Sequence, residues 1–163
     1  MQNLKFSIGI ITVLCLSRFI PHPPNFTALI ALSFYIPALF GKRYVLAIIA
    51  GLLISDIILG LHKTMIFTFL TVFLIGIFSI QFRMKLITRL IGCFSAAILF
   101  FIISNFGVWT LGVYGYSAIG LLSCYIAAIP FFYATLLSTF LYAILFELLL
   151  KLNLRKFLYI EKI

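Results

Sequence analysis

The sequence predicts an all-α integral membrane protein: a compact six-helix transmembrane bundle with a short extra helix and a glycine-rich loop on its outer face. Three observations predict it. Of 163 residues, 65% are hydrophobic and 9% charged, against about 45–50% and about 25% in an average soluble domain. A chain this small has too little interior to hide so much apolar side chain, so lipid must be its solvent. Apolar runs follow one another between short breaks, and basic residues cluster on alternate breaks.

Leu4–Ile20 is the first run. Lys5 followed by an apolar stretch imitates a signal peptide. No small-x-small cleavage motif follows, and Leu14 precedes Cys15 where a lipoprotein signal has a small residue, so the helix is expected to be retained. The break Arg18-Phe-Ile-Pro-His-Pro-Pro-Asn-Phe-Thr27 cannot continue it, because proline removes the N–H donor and drives the preceding residue to extended backbone. Phe26–Phe40 is a short second span with Pro37 near its end, and Gly41-Lys-Arg43 is a plain basic connector. The third span, Tyr44–Leu61, carries a ladder of small residues at Ala47, Gly51 and Ser55 that lets another helix approach closely. Met65–Phe82, Leu86–Asn105 and Phe131–Leu150 complete the six.

Phe106–Pro130 differs in kind. Phe106–Tyr116 reads FGVWTLGVYGY, with glycines dense enough for a loop lying over a pocket. In Ser117–Ile129, Gly120, Cys124 and Ala128 recur every four residues on one helical face. A helix of that length reaches about 20 Å, too little to cross a bilayer. It is expected as a surface or re-entrant helix ending before Pro130; the alternative is one long helix, Ser117–Leu150, kinked at Pro130.

Charge orients the bundle. Lys5, Lys42, Arg43, Arg83, Lys85, Arg89, Lys151, Arg155, Lys156 and Lys162 fall on one side, and only Arg18 and Lys63 on the other. The positive-inside rule then places both termini in the cytoplasm. The net charge of +9 is therefore a topology signal; no stretch is polar enough to build a basic nucleic-acid surface. Cys15, Cys93 and Cys124 are scattered without C-x-x-C spacing, which points to neither a disulfide framework nor a zinc site.

This topology gathers the chemistry-bearing residues on the outer face. Arg18, His22, Asn25, Asp56, His62, Asn105, Trp109 and Tyr114 are the candidate substrate-binding residues. Trp and Tyr alone would make an interfacial belt, but a belt does not account for His, Asn and Arg on one face only. Asp56, six residues before His62, is expected about 9 Å inside the helix end. A carboxylate there costs about 2.5–3.5 kcal/mol and needs a partner, either Arg18 or a ligand amine, proton or cation. Asn25 and Asn105 can hydrogen-bond a ligand and Trp109 can stack on it. Near the other face, Glu147 is expected to pair with Lys151 one turn on, and Arg89 to snorkel. His22, His62 and Asp56 lack ligand spacing, so no metal is expected. No catalytic Ser/His/Asp set, paired glutamates, Gly-Lys-Ser/Thr loop or H-E-x-x-H is present, which argues against an enzyme and excludes an ATPase in this chain.

The segments RFIPHPPNFTALIALSFY, SDIILGLHKT, SNFGVW and YIAAIPFF, between Arg18 and Phe132, resemble those of a bacterial membrane family of unknown function whose members carry only a transport designation. The six-span plan is similar in architecture to the S-components of energy-coupling factor (ECF) transporters, the vitamin uptake systems. That resemblance implies a multi-pass protein of the bacterial cytoplasmic membrane with a loop-capped pocket for a small-molecule substrate and no cofactor. It also implies partners encoded elsewhere, a transmembrane coupling subunit and ATPases. The first helix, SIGIITVLCLS, lacks the Ala-x-x-x-Ala ladder that S-components often carry. Gln2 stands where nickel and cobalt members have a histidine, which points away from those metals. A partner-binding assembly protein and a stand-alone proton-coupled transporter are the other readings.

Overall fold

The computed structural model describes residues 2–83 and 85–151, so the basic residues Arg155, Lys156 and Lys162 lie outside it. Among the described residues the chain is all-helical: α1 (Gln2–Phe19), α2 (Leu29–Phe40), α3 (Val45–Leu59), α4 (Met65–Phe78), α5 (Leu86–Trp109) and α6 (Ala118–Lys151). Tight helical turns at Lys42–Tyr44 and Ser79–Phe82 precede α3 and extend α4. Three stretches, Met65–Phe82, Leu86–Trp109 and Ala118–Lys151, are long and apolar enough to cross a membrane.

The bundle is built around α2. Ten of its twelve residues are buried, and it packs against each of the other five helices. Those five each expose large apolar side chains, such as Ile8, Ile57, Phe73, Phe94 and Leu141. The interior combines an apolar core, including Leu14, Phe34, Ile48, Leu52 and Val72, with buried hydroxyls: Ser33, Ser55, Thr71, Thr135, Ser138 and Thr139. Several satisfy themselves locally, as Ser33 does by donating to Leu29 O at 2.7 Å and Thr135 by donating to Phe131 O at 2.9 Å. Apolar groups outside and self-satisfied hydroxyls inside are the distribution that a hydrocarbon solvent favours.

At twelve residues α2 is about 18 Å long, well short of an apolar layer of about 30 Å. The proline-rich break leads directly into its first turn. Pro37 is accommodated inside α2, and Gly41 ends the helix by donating its N–H to Pro37 O at 2.9 Å. The small-residue ladder of α3 meets α1. A Cβ on Gly51 would sit 3.1 Å from a Leu14 methyl, and Cys15 Sγ donates to Gly51 O at 3.5 Å.

Two expected boundaries are corrected. Helix α5 runs four residues past Asn105, through Gly107 to Trp109, so the glycine-rich loop begins only at Thr110. The short helix and the last span are one element, α6, continuous through Pro130, as in the single-helix alternative. The small face Gly120, Cys124 and Ala128 runs in phase into Thr135, Thr139, Ala143 and Glu147, all buried. That uninterrupted seam lies largely on α5, where Tyr125 Oη donates to Ile102 O at 2.7 Å. In an apolar surrounding, breaking the helix would leave several backbone groups without partners, whereas the proline leaves one.

The expected Glu147–Lys151 pair and the snorkelling of Arg89 are corrected as well. Glu147 and Arg89 are both buried and bind each other, Nε to Oε1 at 2.6 Å and Nη2 to Oε2 at 2.7 Å. Tyr35 Oη adds a third bond to Oε1 at 3.0 Å. Arg89 also donates through Nη1 to Arg83 O at 3.0 Å, so α2, α5, α6 and the turn before α5 are pinned together at that end.

Candidate cavity at the loop end of the bundle

At the opposite end the three breaks gather around the start of α2. In the first, Phe26 donates its N–H to Pro23 O at 3.0 Å, and Asn25 has φ 64°. Proline followed by a positive-φ residue is the pattern of a type II turn, and asparagine is among the few side chains that tolerate it. His22 Nδ1 donates to the same Pro23 carbonyl at 2.7 Å. The prolines therefore fix the imidazole, leaving Nε2 as its unengaged nitrogen. Ser17 and Thr27 stand in for a cap on α2: Ser17 Oγ accepts from Ala28 N at 3.4 Å and Thr27 Oγ1 from Leu29 N at 3.3 Å.

In the second break, Gly60 closes α3 on Asp56 O at 2.9 Å and Met65 N turns back to His62 O at 3.2 Å. The third holds Gly112 and Gly115 at φ 79° and 74° and is braced. Trp109 Nε1 donates to Gly115 O at 2.9 Å, and Ser117 caps α6 by accepting from Gly120 N at 3.0 Å. A Cβ on Gly120 would lie 2.2 Å from Tyr114 O, so only glycine lets this loop rest on α6.

Beneath the breaks is a cavity of about 460 Å³ lined from all six helices. Arg18, His22, Asn25, His62, Asn105 and Tyr114 line it. So do groups outside the eight candidates, among them Thr27, Thr68, Phe101, Phe132 and Thr135. Asn105 donates its amide to Phe101 O at 2.7 Å, which leaves its carbonyl oxygen to accept. Thr68 and Thr135 were detectable as hydroxyls inside apolar spans. The aromatic residues were not distinguishable among nineteen phenylalanines.

Two of the eight candidates do not line the cavity. Trp109 is turned into the third break, edge-on to Tyr116 with ring centroids 6.0 Å apart, and braces the loop. Asp56 lies behind the wall, 1% exposed, with Arg18 Nη1 2.5 Å from its Oδ1. Because α3 ends at Leu59, Asp56 is about 4.5 Å from the helix end, half the expected depth. A carboxylate in a helix's last turn opposes the helix dipole, and Arg18 supplies the compensating charge. The contact is close but not aligned as a hydrogen bond, and neither carboxylate oxygen has a hydrogen-bond donor among the described residues. His62 Nε2 stands 3.7 Å from Oδ2. Arg18 Nη1 is further held by Ser55 Oγ at 2.5 Å and Leu52 O at 3.4 Å. Among the described residues no three His, Cys, Asp or Glu side chains gather as metal ligands.

No curated protein and no solved structure matches this chain. The family of unknown function DUF6580 matches residues 1–159, nearly the whole sequence, and the chain belongs to that family.

Proposed function

We propose that this is a membrane-embedded binding protein for a small nutrient, such as a vitamin or its precursor, taken up from the outer face of the bacterial cytoplasmic membrane. The observation that carries the reading is the cavity, to which every helix and all three breaks at one end contribute. Its volume falls within the range of about 300–1,000 Å³ usual for small-molecule sites. A lining that combines polar groups such as Arg18, Asn25 and Asn105 with Phe100, Phe101, Phe131 and Phe132 suits a ligand with both a polar and an apolar part.

In this reading all six helices span with both termini cytoplasmic, since among the described basic residues only Arg18 and Lys63 belong to the breaks at the cavity end. The braced third break, with Tyr114 on the wall, acts as the cap. The chain has no phosphate-binding loop. Uphill transport would therefore draw on a coupling subunit and ATPases encoded elsewhere, as the likeness to ECF S-components implies.

The test is a thermal-shift and native mass-spectrometry screen of nutrients on the detergent-purified protein. Ala127 is an exposed cavity-lining residue, so Ala127→Trp fills the cavity without repacking the core. A true ligand stabilises the parent protein and not this variant. Ligands that stabilise both equally, or a partner protein recovered with an intact cavity and no ligand, would sink the proposal.

A further inference from the structure

The geometry points to an anionic ligand, specifically a carboxylate joined to an apolar or aromatic body, bound through the Nε and Nη2 edge of Arg18. The inference rests on the binding-protein reading and adds the ligand's charge and orientation.

Two arginines, Arg89 buried and Arg18 half-buried, make the argument. Arg89 presents its Nε–Nη2 edge to Glu147, which takes one oxygen on each nitrogen. That fork is the geometry in which guanidinium recognises a carboxylate. Arg18 is held by its other end: Asp56, Ser55 and Leu52 all meet Nη1. Its Nε–Nη2 edge donates to no protein atom among the described residues, and Arg18 lines the cavity with 16% of its side chain exposed. The same fork that closes on Glu147 at one end of the bundle is thus open beside the cavity at the other.

Three further features agree on the sign of the ligand. Among the described residues no carboxylate lines the cavity; beside Arg18 its walls carry the imidazoles of His22 and His62, the phenol of Tyr114 and the thiol of Cys124. Asp56 neutralises Arg18 from behind, which limits the cost of burying it without placing negative charge on the wall. Leu29 and Ile30, at the start of α2, also line the cavity. The Ile30 and Ala31 N–H groups have no partner among the described residues, so the positive end of the α2 dipole adds to the field there. Phe100, Phe101 and Phe132 then provide an apolar wall for the rest of the molecule. An amine at Arg18 would meet like charge.

The experiment uses matched probes on the full chain in nanodiscs: 3-phenylpropionate, its amide and 3-phenylpropylamine, with decanoate as the membrane-partitioning carboxylate. Carboxylates are expected to bind and the amide and amine to bind at least about 10-fold more weakly. Binding confined to decanoate supports the same chemistry and makes the bilayer its source. Binding of 3-phenylpropionate makes the aqueous phase the source. Arg18→Gln alone strands Asp56, so the decisive variant is Arg18→Gln with Asp56→Asn, which removes both charges together. It should lose carboxylate binding by about 10- to 100-fold, whereas Asp56→Asn alone should keep it. Preference for the amine or amide, or loss in Asp56→Asn with retention in the double variant, overturns the anion assignment and leaves the binding-protein reading intact. Failure of all probes together with an empty nutrient screen overturns both.

Discussion

Glu147 meets Arg89 edge to edge, two hydrogen bonds of 2.6 and 2.7 Å joining helices whose partner residues are 58 positions apart. The pair is buried on α5 and α6, and Tyr35 of α2 shares one of its oxygens. Removing one member leaves an uncompensated charge inside the bundle, which costs about 3–5 kcal/mol. Glu147→Ala and Arg89→Ala should therefore each destabilise by that amount in denaturant titrations in mixed micelles. Arg89→Leu with Glu147→Leu should recover most of it, since an apolar pair strands no charge. Tyr35→Phe should cost about 0.5–1.5 kcal/mol. Equal losses for the single and double variants would contradict this account.

Asn25 separates backbone from ligand chemistry. Its φ of 64° favours glycine and asparagine over β-branched residues. Asn25→Gly should leave the melting temperature nearly unchanged, whereas Asn25→Val should cost about 1–2 kcal/mol through the turn. If the amide contacts ligand, Asn25→Gly weakens binding at constant stability. A valine variant as stable as the parent would show that the turn is not held as described.

Much of the helix order was legible because apolar runs and proline breaks have few alternatives in a 163-residue chain. The pairing of Arg18 with Asp56 was legible too, since a carboxylate in an apolar helix has few places to find charge. The role of the pair was not. Which of its members lines the cavity depends on the rotation of α1 against α3, and no residue pattern encodes that angle. Pro130 misled for a different reason. A proline read as punctuation hides the small-residue seam that runs through it, from Gly120 to Glu147 in one phase. Glu147 was assigned to its sequence neighbour Lys151, although an arginine on another helix offers a bidentate fork.

Orientation can be tested with single cysteines. Cys15, Cys93 and Cys124 are buried and should give little background with a membrane-impermeant maleimide. Tyr116→Cys, in the exposed third break, should label in intact cells. Lys42→Cys, in the connector after α2, should label only after permeabilisation. The reverse pattern would invert the topology and place the cavity on the cytoplasmic side.

Proline 130 makes the last prediction, because stability and binding should move apart there. A proline inside a helix lacks the N–H that would reach the carbonyl of Ile126, and it costs about 3 kcal/mol relative to alanine in water. Pro130 is exposed on α6, so nothing in the core depends on its ring. Since the helix continues on both sides, Pro130→Ala supplies the missing bond and should raise stability by about 1–3 kcal/mol. The residues that follow, Phe131 and Phe132, form part of the cavity wall, together with Ala127 and Ala128 one turn before. Closing the hydrogen bond tightens the helix between these two sets and changes their spacing. The expected result is a more stable protein with weaker ligand binding, read by denaturant titration and by the melting shift at saturating ligand. If Pro130→Ala instead destabilises the protein, α6 does not run as one helix through this position, and the division into a short outer helix and a sixth span is restored.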